Sequence, residues 1–241
     1  PYGYYYGGYG DFLANNIYCI LLIPILLLSV WAQAQVSGNF KRYSAIANKR
    51  HLTGAQAAEA VLRAHGIYNV SIRPCAGSLT DHYDPRDNSI SLSQDVYNSA
   101  TIAAVGVAAH EAGHAVQYAV GYGPVKLRTA IIPATQLGSK FSFILLLLGM
   151  ILYVQPLFLF GIVLFSLTTI FQLITLPVEF NASHRAMQEL EHTGILGSAE
   201  LKDTRKVLTA AAMTYVASAA SMILQLLRLI ILFGGRSRDD N

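Results

Sequence analysis

The longest uncharged stretch of the sequence is the feature that most restricts its fold. No Asp, Glu, Lys or Arg occurs between Lys140 and Glu179, a run of 38 residues. As one continuous helix this run would be about 57 Å long, whereas the hydrocarbon core of a bilayer is about 30 Å thick. It therefore has to fold back on itself, and Gln155-Pro156 is the best candidate for the turn. We predict a transmembrane hairpin with helices at 131–154 and 157–177.

Two further apolar stretches are long enough to cross a bilayer. The first, at residues 12–35, carries no charge, and basic residues follow it rather than precede it. We therefore interpret it as an uncleaved anchor and not as a signal peptide. The second, at 207–233, contains Arg228, whose side chain would have to snorkel or face protein. Four spans suit a chain that is 53% hydrophobic and only 13% charged.

The distribution of Lys and Arg predicts the orientation of these spans, because both residues are enriched on the cytoplasmic side. They cluster directly after the first span and before the second, whereas the Tyr/Gly-rich tail at 1–11 and the Gln155 turn have none. We expect residues 36–130 and 178–206 to face the cytoplasm, followed after the last span by a tail at 234–241. A net charge of +3 without a dense basic cluster suits an anionic lipid surface and gives no reason to expect a nucleic-acid partner.

A two-histidine motif lies in the predicted cytoplasmic region, where residues 110–114 read His-Glu-Ala-Gly-His. On a helix His110 and His114 share one face, so both imidazoles can bind the same metal ion. Glu111 can then take a proton from a zinc-activated water without binding the metal itself. Glu111 is also the one charged residue between Ile102 and Val116, and burying these groups costs several kcal/mol unless they are paired or bind a metal. The motif predicts a zinc hydrolase.

A catalytic zinc needs a third protein ligand, and Glu179 is the strongest candidate outside the motif. It directly follows the second helix of the predicted hairpin, so its carboxylate is expected at the membrane surface near the motif helix. The alternative is a glutamate that only marks the end of a helix. Ser183, one turn later on the same face, could orient a ligand imidazole. His184 could bind a substrate carbonyl or merely contact lipid phosphates.

The region between the first span and the motif has the patterns of one short helix and a small sheet. Residues 53–66 begin with a Thr N-cap and end with Gly, which predicts an amphipathic helix. Alternating residues at 70–73 and 89–93, separated by turn chemistry at 84–88, predict an antiparallel sheet. Ser93 is expected to cap the long helix that carries the metal motif.

The turn itself contains further polar candidates. His82 and Tyr83 could cap the turn, or one of them could donate a hydrogen bond to an oxyanion beside the metal. If Glu179 is not the third ligand, Asp81 and Asp84 are the next candidates.

Several short segments together resemble the YugP-like neutral zinc metallopeptidases of bacterial membranes. The resemblance extends over nearly the whole chain after the tail. It implies an inner-membrane zinc metalloendopeptidase, gluzincin-like, with zinc held by His110, His114 and Glu179 and with Glu111 as the general base. In related membrane zinc proteases an Asp commonly lies four residues after the ligand Glu, and here that place is taken by Ser183. The segments are Thr53-Gly-Ala55, Leu79-Thr-Asp-His-Tyr-Asp-Pro85, Asp95-Val-Tyr97, Ala108-Ala-His-Glu-Ala-Gly-His114 and Leu176-Pro-Val-Glu-Phe-Asn-Ala-Ser183.

The predicted protein is thus a mainly α-helical integral membrane protein with about four transmembrane helices and a cytoplasmic zincin-like region. Its expected function is to hydrolyse bonds in peptides or membrane proteins at the cytoplasmic membrane face. Two alternatives stay open. One is a non-catalytic membrane scaffold with structural zinc. The other is an intramembrane-cleaving protease, although such enzymes usually take an Asp ligand from an Asp-Gly pair, and the sequence contains none.

Overall fold

The computed structural model describes the backbone of residues 9–239 and the side chains of residues 23–231. The described part is mainly helical, as predicted, and contains one small sheet. Most of the Tyr/Gly-rich tail at 1–11 and the side chain of Cys19 lie outside these residues, and Cys75 is a free thiol. The elements are α1 (Tyr9–Tyr43), α2 (Gly54–Ala64), β1 (Ser71–Cys75), β2 (His82–Asp84), β3 (Ser89–Ser93), α3 (Gln94–Tyr97), α4 (Ile102–Ala119), α5 (Gly123–Ile151), α6 (Gln155–His192) and α7 (Ser198–Asp239).

Within the described residues, three helices are long and apolar enough to cross a membrane, namely α5, α6 and the segment Ser198–Ile231 of α7. They overlap the three later predicted spans, although α5 ends at Ile151, three residues before the predicted end of its span. The break between α5 and α6 comes directly before Gln155, where the turn was predicted. Helix α6 is longer than expected, because it continues through Pro177 to His192. The span predicted at 12–35 lies in α1, whose side chains are described only from Ile23, so the fourth span stays a prediction.

The chain divides into two compact units, one of residues 1–31, 133–172 and 217–241 and the other of residues 32–132 and 173–216. In the first unit, α5 and α6 approach each other closely at two glycines. A Cβ atom at Gly149 would lie 2.5 Å from the backbone nitrogen of Phe158, and one at Gly161 would lie 2.8 Å from Leu146 Cγ. Small residues at such places let two apolar helices pack backbone to backbone.

The second unit contains the sheet, and here the prediction of an antiparallel sheet was wrong in part. The strand order is β1-β3-β2, and β1 pairs with β3 in parallel, with Ser71 opposite Ser89. The turn chemistry at 84–88 joins β3 to β2, which is the antiparallel neighbour. Residues 76–81 carry the chain from β1 to the far edge of the sheet, and this crossover makes β1 and β3 run in the same direction.

Helices α2 and α4 form the core of the second unit together with the inner face of the sheet. Helix α2 begins at the predicted cap, where the side chains of Thr53 and Gln56 make the reciprocal bonds of a capping box. The predicted cap of α4 was wrong. Ser93 precedes the short helix α3, and α4 begins only after a break, with Thr101 Oγ1 accepting a hydrogen bond from the backbone nitrogen of Ala104 at 3.3 Å.

Candidate metal centre

The two-histidine motif lies in the middle of α4, which is buried along most of its length because its residues are mainly Ala, Val and Gly. The motif also contains a point where α4 and α6 approach each other closely. A Cβ atom at Gly113 would lie 2.7 Å from the carbonyl oxygen of Ala182, so only glycine fits there without a shift of the backbone. This contact brings the part of α6 around Glu179 against the histidine face of α4.

The side chains of His110, His114 and Glu179 converge at this contact, although Glu179 is 65 residues from His114 in the sequence. Their potential ligand atoms all lie within 4.8 Å of one another, and they form the one such group among the described residues. Glu179 Oε2 is 3.3 Å from His110 Nε2 and 3.5 Å from His114 Nε2. The two imidazole rings are nearly perpendicular, with centroids 4.7 Å apart.

The remaining nitrogen of each imidazole has a polar partner from the protein. His114 Nδ1 lies 3.0 Å from Gln117 Oε1, and the amide nitrogen of Gln117 donates to the carbonyl oxygen of Val178 at 2.7 Å. Since that amide nitrogen faces a carbonyl, its oxygen faces His114 and accepts the Nδ1 proton. Nε2 of His114 is then left with the lone pair. His110 Nδ1 lies 3.0 Å from Ser183 Oγ, the position predicted to orient an imidazole.

The chemistry of these donors fits a zinc ion. The Glu179 side chain is only 4% exposed, and its Oε2 atom is buried without a hydrogen-bond partner. A buried carboxylate oxygen without a donor is costly, and a cation would remove that cost. Two imidazole nitrogens and one carboxylate oxygen form a common ligand set for catalytic zinc.

The electrostatics around His114 also favour a cation. Burial lowers the pKa of His114, but the carboxylates of Glu179 and Glu111 together with Gln117 raise it by more, so the pKa lies above its ordinary value. The same negative potential that holds a proton on an imidazole attracts a metal ion.

Two polar side chains that the sequence did not predict as part of the site lie beside Glu179. Arg128 Nη1 lies 3.5 Å from Glu179 Oε1, which is the other oxygen of the carboxylate from the one nearest the imidazoles. Tyr215 on α7 lines the same cavity as Glu179 and is close enough to interact with its charge. Arg128 is one of the basic residues before the predicted hairpin, and the sequence indicates for it only a role in the orientation of the spans. Tyr215 lies within an apolar block that gives no sign of a polar role.

A cavity of about 310 Å³ opens beside the cluster. Glu111, which is only 8% exposed, lines it next to His110, Glu179 and Ser183. The other lining residues come from α1, α4, α7 and the segment before β2. They are Gln33, Val36, Phe40, Leu79, Asp81, Val107, Val207, Leu208, Ala211, Ala212, Thr214 and Tyr215.

The structure does not bring the other candidates to the cavity. Tyr83 donates to Asn88 Oδ1 at 2.8 Å, and exposed His82 lies 2.8 Å from the carbonyl oxygen of Thr80 through Nδ1, so both belong to the turn. His184 is exposed on α6 and does not line the cavity.

Both alternative aspartates have other partners. Asp81 accepts hydrogen bonds from the backbone nitrogen and hydroxyl of Ser93, and Asp84 forms an ion pair with Arg86 at 2.6 Å that lowers its pKa to about 2. Neither belongs to the metal-binding group.

Comparison with known proteins agrees with this chemistry. Residues 18–234 match the family described as "Putative neutral zinc metallopeptidase". The chain is 44% identical over 225 residues to a Bacillus subtilis (strain 168) protein named "Putative membrane protease YugP", covering 93% of this chain and 100% of that protein. No solved structure gives a significant match.

Proposed function

Because the chain belongs to the family of neutral zinc metallopeptidases, we propose that it is a zinc endopeptidase that hydrolyses peptide bonds at the cytoplasmic face of the bacterial inner membrane. The observation that carries this proposal is the convergence of His110, His114 and Glu179 beside Glu111 in an open cavity. A structural zinc site is usually closed by four protein ligands, whereas three ligands next to a cavity leave room for substrate.

In the proposed centre, His110 and His114 would hold the ion through Nε2, and Glu179 would hold it through Oε2. When bound, zinc supplies Lewis-acid chemistry, because it lowers the pKa of water and polarises a carbonyl group. Gln117 and Ser183 fix the rotation of the two imidazoles, so that both Nε2 lone pairs are directed at one point. Arg128 keeps Glu179 Oε1 turned away from that point.

Glu111 is the general base in this proposal. Its carboxylate takes a proton from the attacking water while the water oxygen bonds to the carbonyl carbon of the substrate. It then gives the proton to the leaving nitrogen as the C–N bond breaks. Tyr215 lines the same cavity and contributes a phenolic hydroxyl, and we assign to it the donation of a hydrogen bond to the developing oxyanion.

The cytoplasmic orientation rests on the distribution of charge. The second unit carries the basic residues that follow the span predicted at 12–35, and also Lys126 and Arg128 near the start of α5. Such residues are retained on the cytoplasmic side. The centre lies in this unit, so we propose that it faces the cytoplasm.

The test is the substitution Glu111→Gln in protein purified in detergent. We expect loss of hydrolysis of a quenched fluorescent casein substrate by at least a hundredfold, with about one zinc per chain retained, because the general base is lost and the ligands are not. Glu191→Gln, an exposed glutamate on α6, is the matched control and should leave both quantities unchanged.

Two results would contradict the proposal. If the Glu111→Gln protein hydrolyses casein at the rate of the unsubstituted protein, Glu111 is not the base. If the unsubstituted protein holds zinc but cleaves nothing, the centre is structural and the protein is a scaffold.

A further inference from the structure

The cavity beside the candidate centre is lined by both polar and apolar side chains. The polar ones include His110, Glu111 and Glu179. Six apolar lining residues come from one face of α1, one residue of α4 and one face of α7. These residues are Val36, Phe40, Val107, Val207, Leu208 and Ala211, and we call them the apolar wall.

The apolar wall is continuous with the core of the second unit, so its shape is held by packing. Val207 and Leu208 are only 6% and 5% exposed and belong to the buried clusters. Phe40 and Val107 pack against both clusters. Since close-packed side chains sit in defined rotamers, the apolar wall is pre-formed and does not need a ligand to shape it.

The apolar wall offers no ionic partner for a charged substrate side chain. None of its lining residues, all of which have described side chains, is Lys or Arg. The acidic residues are Glu111, Glu179 and Asp81, and Asp81 is already engaged by Ser93 through its backbone nitrogen and hydroxyl. A carboxylate or ammonium placed at the apolar wall would lose its hydration without gaining an ion pair.

Room for a side chain is left by the small residues of α7. Ala211 and Ala212 face the cavity where larger residues would fill it. The cavity of about 310 Å³ is at the lower end of the range for small-molecule sites, roughly 300–1,000 Å³. It therefore suits one reacting peptide unit with one adjacent side chain.

We infer that the apolar wall is a specificity subsite that selects peptides with a bulky uncharged apolar side chain, such as Leu or Phe, next to the cleaved bond. The inference rests on the proposed function, and it adds the class of substrate that the site accepts. The subsite and the reacting groups share one cavity, so binding of the apolar side chain positions the neighbouring peptide bond beside Glu111.

The test uses short peptide hydroxamates, which anchor on zinc and carry one variable side chain next to the anchor. Their dissociation constants are measured by calorimetry on the zinc-loaded full chain in detergent, with side chains of Leu, Phe, Ala, Asp and Lys. We expect the Leu and Phe compounds to bind at least tenfold more tightly than the Ala compound, and the Asp and Lys compounds to bind more weakly than Ala.

A substitution in the wall makes the assignment specific. Ala211→Leu adds three carbon atoms to the cavity and should remove most of the preference for Leu over Ala, with zinc content unchanged. The matched control is Thr209→Leu, which adds an apolar side chain to an exposed position of α7 that does not line the cavity. This control should keep the preference of the unsubstituted protein. If Ala211→Leu does not fold, Phe40→Leu is used instead, and it enlarges the subsite where Ala211→Leu would fill it. Phe40→Leu should weaken binding of the Leu compound more than binding of the Phe compound.

The outcomes separate the two proposals. If all hydroxamates bind equally well while zinc and casein hydrolysis are retained, the subsite is wrong and the peptidase proposal stands. A preference for the Asp or Lys compound, or a preference unaffected by Ala211→Leu, would also overturn the subsite. If no hydroxamate binds and no zinc is held, the metal centre itself is wrong, and the subsite falls with it.

Discussion

Gln117 offers the sharpest test of how the candidate centre is built, because its side chain contacts both a metal-ligand imidazole and the helix that carries Glu179. It is fully buried, with its amide oxygen 3.0 Å from His114 Nδ1 and its amide nitrogen donating to Val178 and to Asn181 Oδ1. Gln117→Leu has a similar volume but removes all three bonds. The His114 Nδ1–H group would be left buried without an acceptor.

The expected magnitude follows from these contacts. Loss of the partner that orients a metal-ligand histidine commonly weakens metal binding about 10–100-fold, and we expect Gln117→Leu to fall in that range. The unsatisfied imidazole N–H should in addition lower the free energy of unfolding by about 1–3 kcal/mol. Zinc affinity is measured by competition with a chromophoric chelator, and unfolding is followed in denaturant with and without zinc.

A second variant separates the two contacts of Gln117. Gln117→Glu keeps an acceptor for His114 but cannot donate to the Val178 carbonyl, so zinc affinity should stay near that of the unsubstituted protein while stability falls. If Gln117→Leu binds zinc as tightly as the unsubstituted protein, the hydrogen bond does not orient the imidazole. If Gln117→Glu loses zinc as strongly as Gln117→Leu, zinc affinity depends on the contact of Gln117 with α6 and not on its bond to His114.

Three further perturbations test the site and its setting. Glu179→Ala should remove most zinc and all hydrolysis, whereas Glu191→Ala on the exposed side of α6 should change neither. Metal content is measured by mass spectrometry, and a full zinc content in the Glu179→Ala protein would exclude Glu179 as a ligand. Gly113→Ala places a Cβ atom 2.7 Å from the Ala182 carbonyl, so we expect a loss of about 1–3 kcal/mol in unfolding free energy, and an unchanged Tm would contradict the close contact. Topology is tested with single cysteines and an impermeant maleimide. A cysteine at Arg86, whose side chain is 88% exposed, should react only after cells are opened, and one at Tyr153 should react in intact cells. The reverse pattern would invert the proposed orientation.

The part of the site that sequence could predict is the part encoded by short spacing. His110 and His114 share a helix face because they are four residues apart, and the hairpin follows from an uncharged run too long for one crossing. Glu179 could be proposed because it ends that run. Each of these predictions needs only local geometry and the thickness of a bilayer.

The remaining partners depend on contacts between distant elements. Gln117 contacts Val178 only because Gly113 lets α4 approach α6. Tyr215 lies beside Glu179 although its helix, α7, begins only after α4 and α6 have ended. The periodicity of a sequence does not encode contacts between distant elements. An alternating pattern likewise does not show in which direction two strands pair. For this reason β1 and β3 could be recognised as strands, but their parallel pairing could not be predicted.

The order of the ligands along the chain has a consequence for biosynthesis. His110 and His114 leave the ribosome first, and Glu179 follows only after α5 and the first part of α6 have been synthesised. Because domains form as their segments emerge, the proposed centre has only two of its three ligands throughout this interval. The proposed peptidase activity therefore cannot begin before the segment that contains Glu179 has been made and has packed against α4.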